Sequence, residues 1–516
     1  MSGLVLPAGW EIARLDDVAL LVRGITFPTS AKGHEPKVGA VACLRTANVQ
    51  TNVEWDDLWY VPRQYVKHDE QYVRTGDVLI STANSYELVG KVARVTAPHN
   101  EASLGAFISL LRAEAGLNDV YFYFLMSSDS IQRSIRDMAS TTTNLSNVSG
   151  GKLKELELPI APPAEQTRIV EKLEELLSDL DAGVAELKAA QRKLAQYRQS
   201  LLKAAMEGAL TADWRATLTN TTAPQETGTE LLQRILAERR ARWEAKQLAK
   251  FAEQGKTPPK DWKSKYPQPV SPNSADLSPL PTGWVWATLS QVGWLDRGRS
   301  KHRPRNAPHL YGGSYPFVQT GDIREADTFI REASATYSEA GLAQSRLWPV
   351  DTVVITIAAN IGKTAMLAME ACFPDSVVGF LPAADGVSIR FVEYFMRTAQ
   401  QKLESEAPAT AQKNINLEIL ERLCLPLPSM DEQLEIVRVV SDALDSAREQ
   451  DVAMELALKQ SAAQRKNILK AAFAGQLVPQ DPNDEPASAL LERIRAERAA
   501  HGSTGAKRGR TPRKTA

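Results

Sequence analysis

Two copies of one module lie along this chain, and that duplication constrains the fold more than any other feature. Leu6-Pro-Ala-Gly-Trp10 returns as Leu280-Pro-Thr-Gly-Trp284, an offset of 274 residues that also relates Arg23-Gly24 to Arg297-Gly298 and Thr46 to Thr320. Asp77-Val-Leu-Ile80 matches Asp351-Thr-Val-Val354, and after a loss of two residues Gly90-Lys91 meets Gly362-Lys363. The offset then settles at 267. Leu158-Pro159 meets Leu425-Pro426, Glu165-Gln166 meets Glu432-Gln433, and Leu201-Leu-Lys-Ala-Ala-Met-Glu-Gly208 meets Ile468-Leu-Lys-Ala-Ala-Phe-Ala-Gly475. The period is far longer than that of a solenoid.

Each copy changes character partway. Short β-rich runs such as Val78-Leu-Ile-Ser81 and Val353-Val-Ile-Thr-Ile357 lie between Gly, Pro and Asn turns, with one aromatic helical stretch per copy, Val120–Met138 and Arg390–Ala407. Apolar residues then fall three, four or seven apart, at Ile169, Leu173, Leu176, Leu180, Val184, Leu187, Leu194, Tyr197 and Leu201. That spacing describes one face of a helix of about 45 residues. Its partner opens with the capping pattern Ser429-Met-Asp-Glu432 and runs through Ile436, Val440, Ala443, Ala447, Met454, Leu458, Ile468 and Ala472. An apolar seam of that length needs another helix, and equal, ungapped lengths make the two natural partners. The expected fold class is α+β: two mixed, β-rich domains in pseudo-twofold repeat, joined by two long antiparallel coiled-coil helices. The expected divisions are 1–160 and 280–427 for the mixed domains, with 161–212 and 428–479 for the helices. A central insert follows at 213–279, then a short helix at 480–500 and a disordered basic tail at 501–516. The insert holds a polar helix, Glu230–Gln254, and a stretch rich in Pro and Lys; Leu231–Arg239 is echoed by Leu490–Arg498.

Composition removes several functions. A net charge of −1 excludes a uniformly basic nucleic-acid coat. Cys43, Cys372 and Cys424 are too scattered for a disulfide framework or a Cys-based zinc site, and the six histidines lack ligand spacing. No apolar run approaches the ~18 residues of a membrane span, and the start lacks the basic region of a signal peptide, so a soluble, cytoplasmic protein is expected. Ala359-Asn-Ile-Gly-Lys-Thr364 hints at a phosphate loop, but the first glycine would fall at Ile357, so a β-turn is the better reading. Neither a dinucleotide fingerprint, an adenine-methylation tetrapeptide nor a nuclease metal motif is present. No catalytic residue, metal ligand or cofactor site is assigned to this chain.

One cluster departs from the neutral background. Arg297-Gly-Arg-Ser-Lys-His-Arg-Pro-Arg305 is a cationic loop suited to phosphate contacts, and arginine can also read guanine edges. The domains around it are not basic: residues 1–157 hold 15 basic and 18 acidic side chains, residues 280–424 hold 14 and 15. Charge alone leaves the loop open to reading as a solvated run.

The duplicated order of motifs supplies what charge does not. A Leu-Pro-x-Gly-Trp opening is followed by a strand at Arg45–Val49 or Gln319–Ile323, an Asp-Val-Leu-Ile-like run, a Leu-Pro…Glu-Gln helix start and a Leu-Leu-Lys-Ala-Ala helix end. This order resembles the specificity subunit of Type I restriction–modification enzymes over nearly the whole chain. The resemblance implies two target recognition domains, each reading one half of an asymmetric bipartite site in double-stranded DNA, on an antiparallel helical spacer. It also implies two modification subunits that use S-adenosylmethionine, and restriction subunits that use ATP and Mg, none of these cofactors sitting on this chain. The candidate DNA-binding residues are Arg23, Thr26, Lys32, Arg45, Thr46 and Asn48 in the first domain. In the second they are Arg297, Arg299, Lys301, Arg303, Arg305, Gln319, Thr320 and Asp322. Lys203, Ala204, Ala205, Lys470, Ala471 and Ala472 are candidates for a subunit or helix interface. The alternative from another class is a coiled-coil scaffold whose heads bind protein and not DNA.

Overall fold

Each copy of the repeat closes on itself through a short antiparallel strand pair made from its two ends. The computed structural model describes residues 6–98, 101–142, 145–218, 226–273, 277–358, 360–406 and 414–505. They form two units, one of Met1–Lys188 with Met454–Ala516, the other of Ala189–Ala453. In the first unit Glu11–Arg14 pairs with Glu157–Ile160, Ile12 opposite Pro159. In the second, Val285–Thr288 pairs with Cys424–Leu427, Trp286 opposite Pro426. The sequence offsets of 274 and 267 therefore hold in the hydrogen-bond register itself.

The main sheets repeat as well. Ala19–Arg23, Ile108–Ala113, Val78–Ser81 and Val92–Arg94 lie side by side in that order. Gly293–Arg297, Val377–Pro382, Val353–Thr356 and Thr364–Leu367 follow the same order, and Phe329–Ile330 adds a fifth strand parallel to the last. Val78–Ser81 and Val353–Thr356 are buried along their whole length, which is why they read as unbroken apolar runs and not as alternation. The segment resembling a phosphate loop is the hairpin turn after Val353–Thr356: Gly362 sits at φ +75°, and its N–H donates to the Thr356 carbonyl at 2.9 Å. Ala359 lies outside the described residues.

Two expectations need correction. The segments from Arg45 and Gln319 are capped turns, not strands. Thr46–Asn48 is one 3-10 turn and Thr320–Glu325 a short α-helix. The Asn48 side chain accepts from the Arg45 N–H at 2.9 Å and Asp322 from the Gln319 N–H at 2.7 Å, and such local bonds compete with a strand ladder. The first aromatic stretch is two helices, Asp119–Ser127 and Asp129–Met138, separated where Ser128 is extended at φ −64°, ψ 145°. Its counterpart, Ile389–Glu406, is unbroken.

The long helices are Pro163–Met206 and Met430–Ala472. Ile169, Leu173 and Leu177 share a core with Leu469, Ala472 and Phe473 in the first unit. Leu201, Leu202, Ala205 and Met206 share one with Ile436 and Val440 in the second. In each unit the start of one helix meets the end of the other, so they run antiparallel. Between these cores the seam is half-buried at Leu180, Val184, Leu187, Gln191, Leu194 and Arg198, steps of four and three that keep one stripe inward. Polar seam positions are paired: Arg465 with Asp181, and Arg198 with Asp451 at 2.5 Å.

A duplicated buried clasp explains the motifs at the two ends of each domain. The Trp10 indole N–H donates to Glu165 at 2.9 Å, and the Trp284 indole N–H donates to Glu432 at 2.8 Å. The following glutamines hold the aromatic helices: Gln166 accepts from the Asn118 N–H at 3.0 Å, and Gln433 from the Ser388 N–H at 2.9 Å. Each clasp ties the strand pair to the first turn of a long helix. Burial pushes the Glu165 carboxyl above the usual carboxylate range, against the opposing pull of the Trp10 bond.

The central segment has a defined place. Gly228–Glu253 is a helix with a Thr227/Glu230 capping box; its Leu231 and Ile235 are buried with Trp284, Ala287 and Leu289. Its first N–H donates to the Gly283 carbonyl at 2.7 Å, and the C-terminal helix, Ala487–Gly505, begins the same way with Ala487 donating to Gly9 at 2.8 Å. Leu490, Leu491 and Ile494 then enter the core of the first unit. A Cβ on Gly228 would stand 2.2 Å from the Leu427 carbonyl oxygen, so the helix meets the strand pair at a glycine. The central helix is thus the second unit's version of the C-terminal helix. That helix extends to Gly505, further than the sequence pattern indicated, and the basic tail from 506 lies outside the described residues.

Candidate nucleic-acid interface

In the first unit the structure gathers part of the candidate set around one ring. Lys32 Nζ lies 3.9 Å from the Trp59 ring centroid and the Arg45 guanidinium 5.3 Å from it. Phe27 meets Trp59 edge-on at 6.4 Å and Tyr65 at 6.1 Å. Arg63, which the sequence reading did not single out, lies 5.7 Å from the Tyr72 ring and donates to its hydroxyl at 3.0 Å. Cations seated on aromatic faces form a surface able to meet phosphates and stack on bases. Arg45 is partly committed, donating to the Asp57 carbonyl at 2.8 Å and pairing with the Asp57 carboxylate. Thr46 is half-buried in the turn. Asn48 is buried, its amide donating to the Glu54 and Asp56 carbonyls at 3.0 and 2.9 Å, so it positions the turn. Arg23 and Thr26 are exposed on the adjoining segment.

The basic loop of the second unit is laid down against its domain. Gly298 donates to Val377 at 2.9 Å, Arg299 N–H to Phe373 at 3.0 Å, and His302 N–H to the Gln344 side chain at 2.9 Å. Gly298 has no room for a side chain, since a Cβ would lie 2.2 Å from the Phe373 carbonyl oxygen. Arg303 folds back to donate to the Ser300 and His302 carbonyls at 2.6 and 2.9 Å, and Arg305 pairs with Asp375 at 2.9 Å. Arg297 is half-buried, and Arg299 stands a loose 3.7 Å from Asp296. Lys301 is exposed and makes no ion pair among the described residues. In the neighbouring turn Gln319 is exposed and Thr320 half-buried. Asp322 is committed to the Gln319 N–H and, at 3.2 and 3.1 Å, to the backbone and hydroxyl of Ser334.

The helix-end candidates divide by face. Lys203 and Lys470 are exposed, Ala204 and Ala471 half-buried, and Ala205 and Ala472 fully buried in their own units' cores. The two buried alanines serve packing within the chain.

The described residues hold no group of three or more His, Cys, Asp or Glu placed to bind a metal ion. Burial pushes the Cys43 thiol up to about 12, so its nucleophilic thiolate is disfavoured.

A salt series tests the loop. Changing Arg303 and Arg305 to alanine is expected to weaken DNA binding by the assembled complex and flatten its salt slope by about one unit for each phosphate no longer gripped. Lys301→Ala is the matched variant that spares the loop's internal bonds. Unchanged affinity and slope in both would make the loop a solvated charge run.

Comparison with known proteins adds an independent line. The family model for the Type I restriction modification DNA specificity domain matches residues 7–189 and again 281–451. The chain is 25% identical over 523 residues to the Type I restriction enzyme EcoKI specificity subunit of Escherichia coli K12, covering 98% of this chain and 99% of that protein. It is also 25% identical over 519 residues to the StySPI specificity subunit of Salmonella potsdam, with 96% and 97% covered. Among solved structures, a chain from a study of complex assembly and conformational transition of the type I R-M system superposes with a TM-score of 0.59 at 16% identity, covering 91% of this chain and 99% of that one.

Proposed function

The chain belongs to the Type I restriction–modification specificity family, and from that premise we propose that it is the sequence-specific DNA-recognition subunit of a Type I complex. The observation that carries this is the agreement between the two matched stretches and the two closed domains of the repeat. Each domain reads one half of a bipartite site. The domains differ at their candidate contacts, an aromatic–cation group in one and a basic loop in the other, so the half-sites differ and the site is asymmetric. The long helix pair fixes the spacing between half-sites, as dimer geometry does in other DNA-binding proteins. The exposed helix ends around Lys203 and Lys470 dock two modification subunits, and restriction subunits join them in the cytoplasm.

Near-neutral charge suits a subunit that shares the phosphate grip with its partners. The methyl donor, S-adenosylmethionine, belongs on the modification subunits, and ATP and Mg on the restriction subunits. The purified chain alone is expected neither to methylate nor to cleave DNA; methyl transfer by a contaminant-free preparation would overturn that assignment. Mapping methyl-adenine across a genome with and without this gene tests the whole reading. Marks at one asymmetric bipartite motif are expected to vanish with the gene, whereas unchanged marks together with salt-independent binding would favour a protein-binding scaffold.

A further inference from the structure

Within the second unit, between the recognition domain and the long helices, lies a cleft of about 610 Å³ with five arginines on its walls: Arg198, Arg331, Arg390, Arg397 and Arg448. Three are neutralised nearby. Arg198 pairs with Asp451 at 2.5 Å, Arg397 with Glu393 at 2.5 Å, and Arg448 with Asp327 and, at 3.4 Å, Asp445. Arg331 and Arg390 make no ion pair among the described residues. Both lie against the ring of Phe329, with guanidinium carbons 5.4 and 5.2 Å from its centroid. Arg390 is further fixed by donating to the Tyr394 hydroxyl at 3.1 Å and Ser441 Oγ at 3.2 Å. Two guanidinium groups are therefore held on an aromatic surface without a direct carboxylate partner among the described residues, Arg390 sharing only the longer-range field of the buried Glu393. Such stacked forks suit the oxygens of a phosphate better than lysine would.

The shared fold does not impose this arrangement. The corresponding cleft of the first unit measures about 220 Å³ and is lined by Gln50, Lys91, Tyr123 and Arg465, among others. Arg465 stands where Arg198 does at the offset of 267, but in the aromatic helices the equivalent Asn118 and Ser388 set an offset of 270, so Val120 takes the place of Arg390 and the place of Glu393 falls to Tyr123. Its hydroxyl donates to the Thr51 carbonyl at 3.1 Å, and Lys91 is engaged by Gln50. The arginine pair belongs to the second unit alone.

We propose that this cleft seats a single phosphodiester of the DNA backbone between Arg331 and Arg390, a second grip on the half-site read by this domain; it rests on the DNA-recognition reading above. The wall from Glu325 to Arg331 continues directly from the Thr320–Glu325 turn that carries candidate DNA contacts. The carboxylates of Glu325, Asp327 and Asp445 on the same walls leave room for one anion and disfavour an acidic peptide.

The test uses the full chain assembled with its modification subunits. Binding to the methylated motif's unmodified duplex is measured from low to high salt for the parent, Arg331→Ala, the Arg331→Ala/Arg390→Ala pair and the double lysine variant. The double alanine variant is expected to bind about tenfold more weakly or worse at low salt. Its salt slope should fall by about 0.9, one phosphate's worth. Double lysine should recover the slope and part of the affinity, and the motif methylated should not change. Arg331 is exposed and makes no ion pair among the described residues, so Arg331→Ala alone should weaken binding without altering the melting temperature. Unchanged slope and affinity in complexes that still methylate their motif would overturn the proposal and leave the recognition reading standing. Loss of subunit assembly with parent-like melting would also overturn it, assigning the cleft to a protein partner. A parent complex with no sequence-selective binding would overturn the recognition reading itself.

Discussion

Inserting seven residues into both long helices, between Leu180 and Leu194 of the first and between Asp451 and Arg465 of the second, is expected to lengthen the gap between half-sites by about three base pairs while leaving both half-site sequences unchanged. The half-buried seam there advances by four and three residues, so a whole heptad restores the inward stripe beyond the insertion. Seven residues add about 10 Å of helix. That corresponds to roughly three base pairs at ~3.4 Å each. Three base pairs also turn the duplex by roughly 100°, so the lengthened protein should bind its new site more weakly than the parent binds its own. Methylation mapping reads the outcome directly. A changed half-site sequence at unchanged spacing would contradict the division into reading domains and spacer.

The second large effect concerns the clasp. Glu432 accepts from the Trp284 indole at 2.8 Å and the Thr211 hydroxyl at 2.7 Å, and it pairs with Arg215. Glu432→Ala strands a half-buried guanidinium and a buried indole N–H together, and breaking such a pair costs about 3–5 kcal/mol. The equivalent Glu165→Ala removes the Trp10 bond at 2.9 Å but no directly paired arginine, so about 1–3 kcal/mol is expected. Hydrogen exchange, followed peptide by peptide, should show the second unit loosening more after Glu432→Ala than the first does after Glu165→Ala. Equal losses would mean that Arg215 adds nothing to the clasp.

Legibility followed the range of the signals. The repeat, the helix pair and most of their seam were readable because periodicity accumulates over dozens of residues, although Tyr197, counted on the seam, is exposed and Arg198 takes the inward position. The echo of Leu231–Arg239 in Leu490–Arg498 was visible too, but not its meaning, since only the hydrogen bonds from Gly228 to Gly283 and Ala487 to Gly9 reveal equivalent caps. Arg45–Val49 is read as a strand in the order of motifs that carries the resemblance, and a single side chain, Asn48, decides otherwise by accepting the Arg45 N–H. The basic loop was conspicuous as a run, yet carbonyls and Asp375 engage two of its arginines, which no local pattern announces. The arginine cleft left no trace in the sequence, because its five members come from segments scattered between residues 198 and 448.

The first unit draws its core from both ends of the chain, with Leu469, Phe473, Leu490 and Ile494 packed among Trp10, Leu15 and Ile169. On the ribosome this inverts the order of completion. The second unit, Ala189–Ala453, has every one of its residues in one uninterrupted stretch and can finish folding as that stretch emerges. The domain translated first must wait for residues near 494, roughly 300 residues after its own stretch ends at Lys188, about 15–60 s at bacterial and eukaryotic elongation rates. During that interval the apolar face of Ile169, Leu173 and Leu177 stays uncovered by the helix that later buries it. A nascent chain stalled after Ala453 has emerged but before Ile494 has would carry a finished second unit and an unfinished first one.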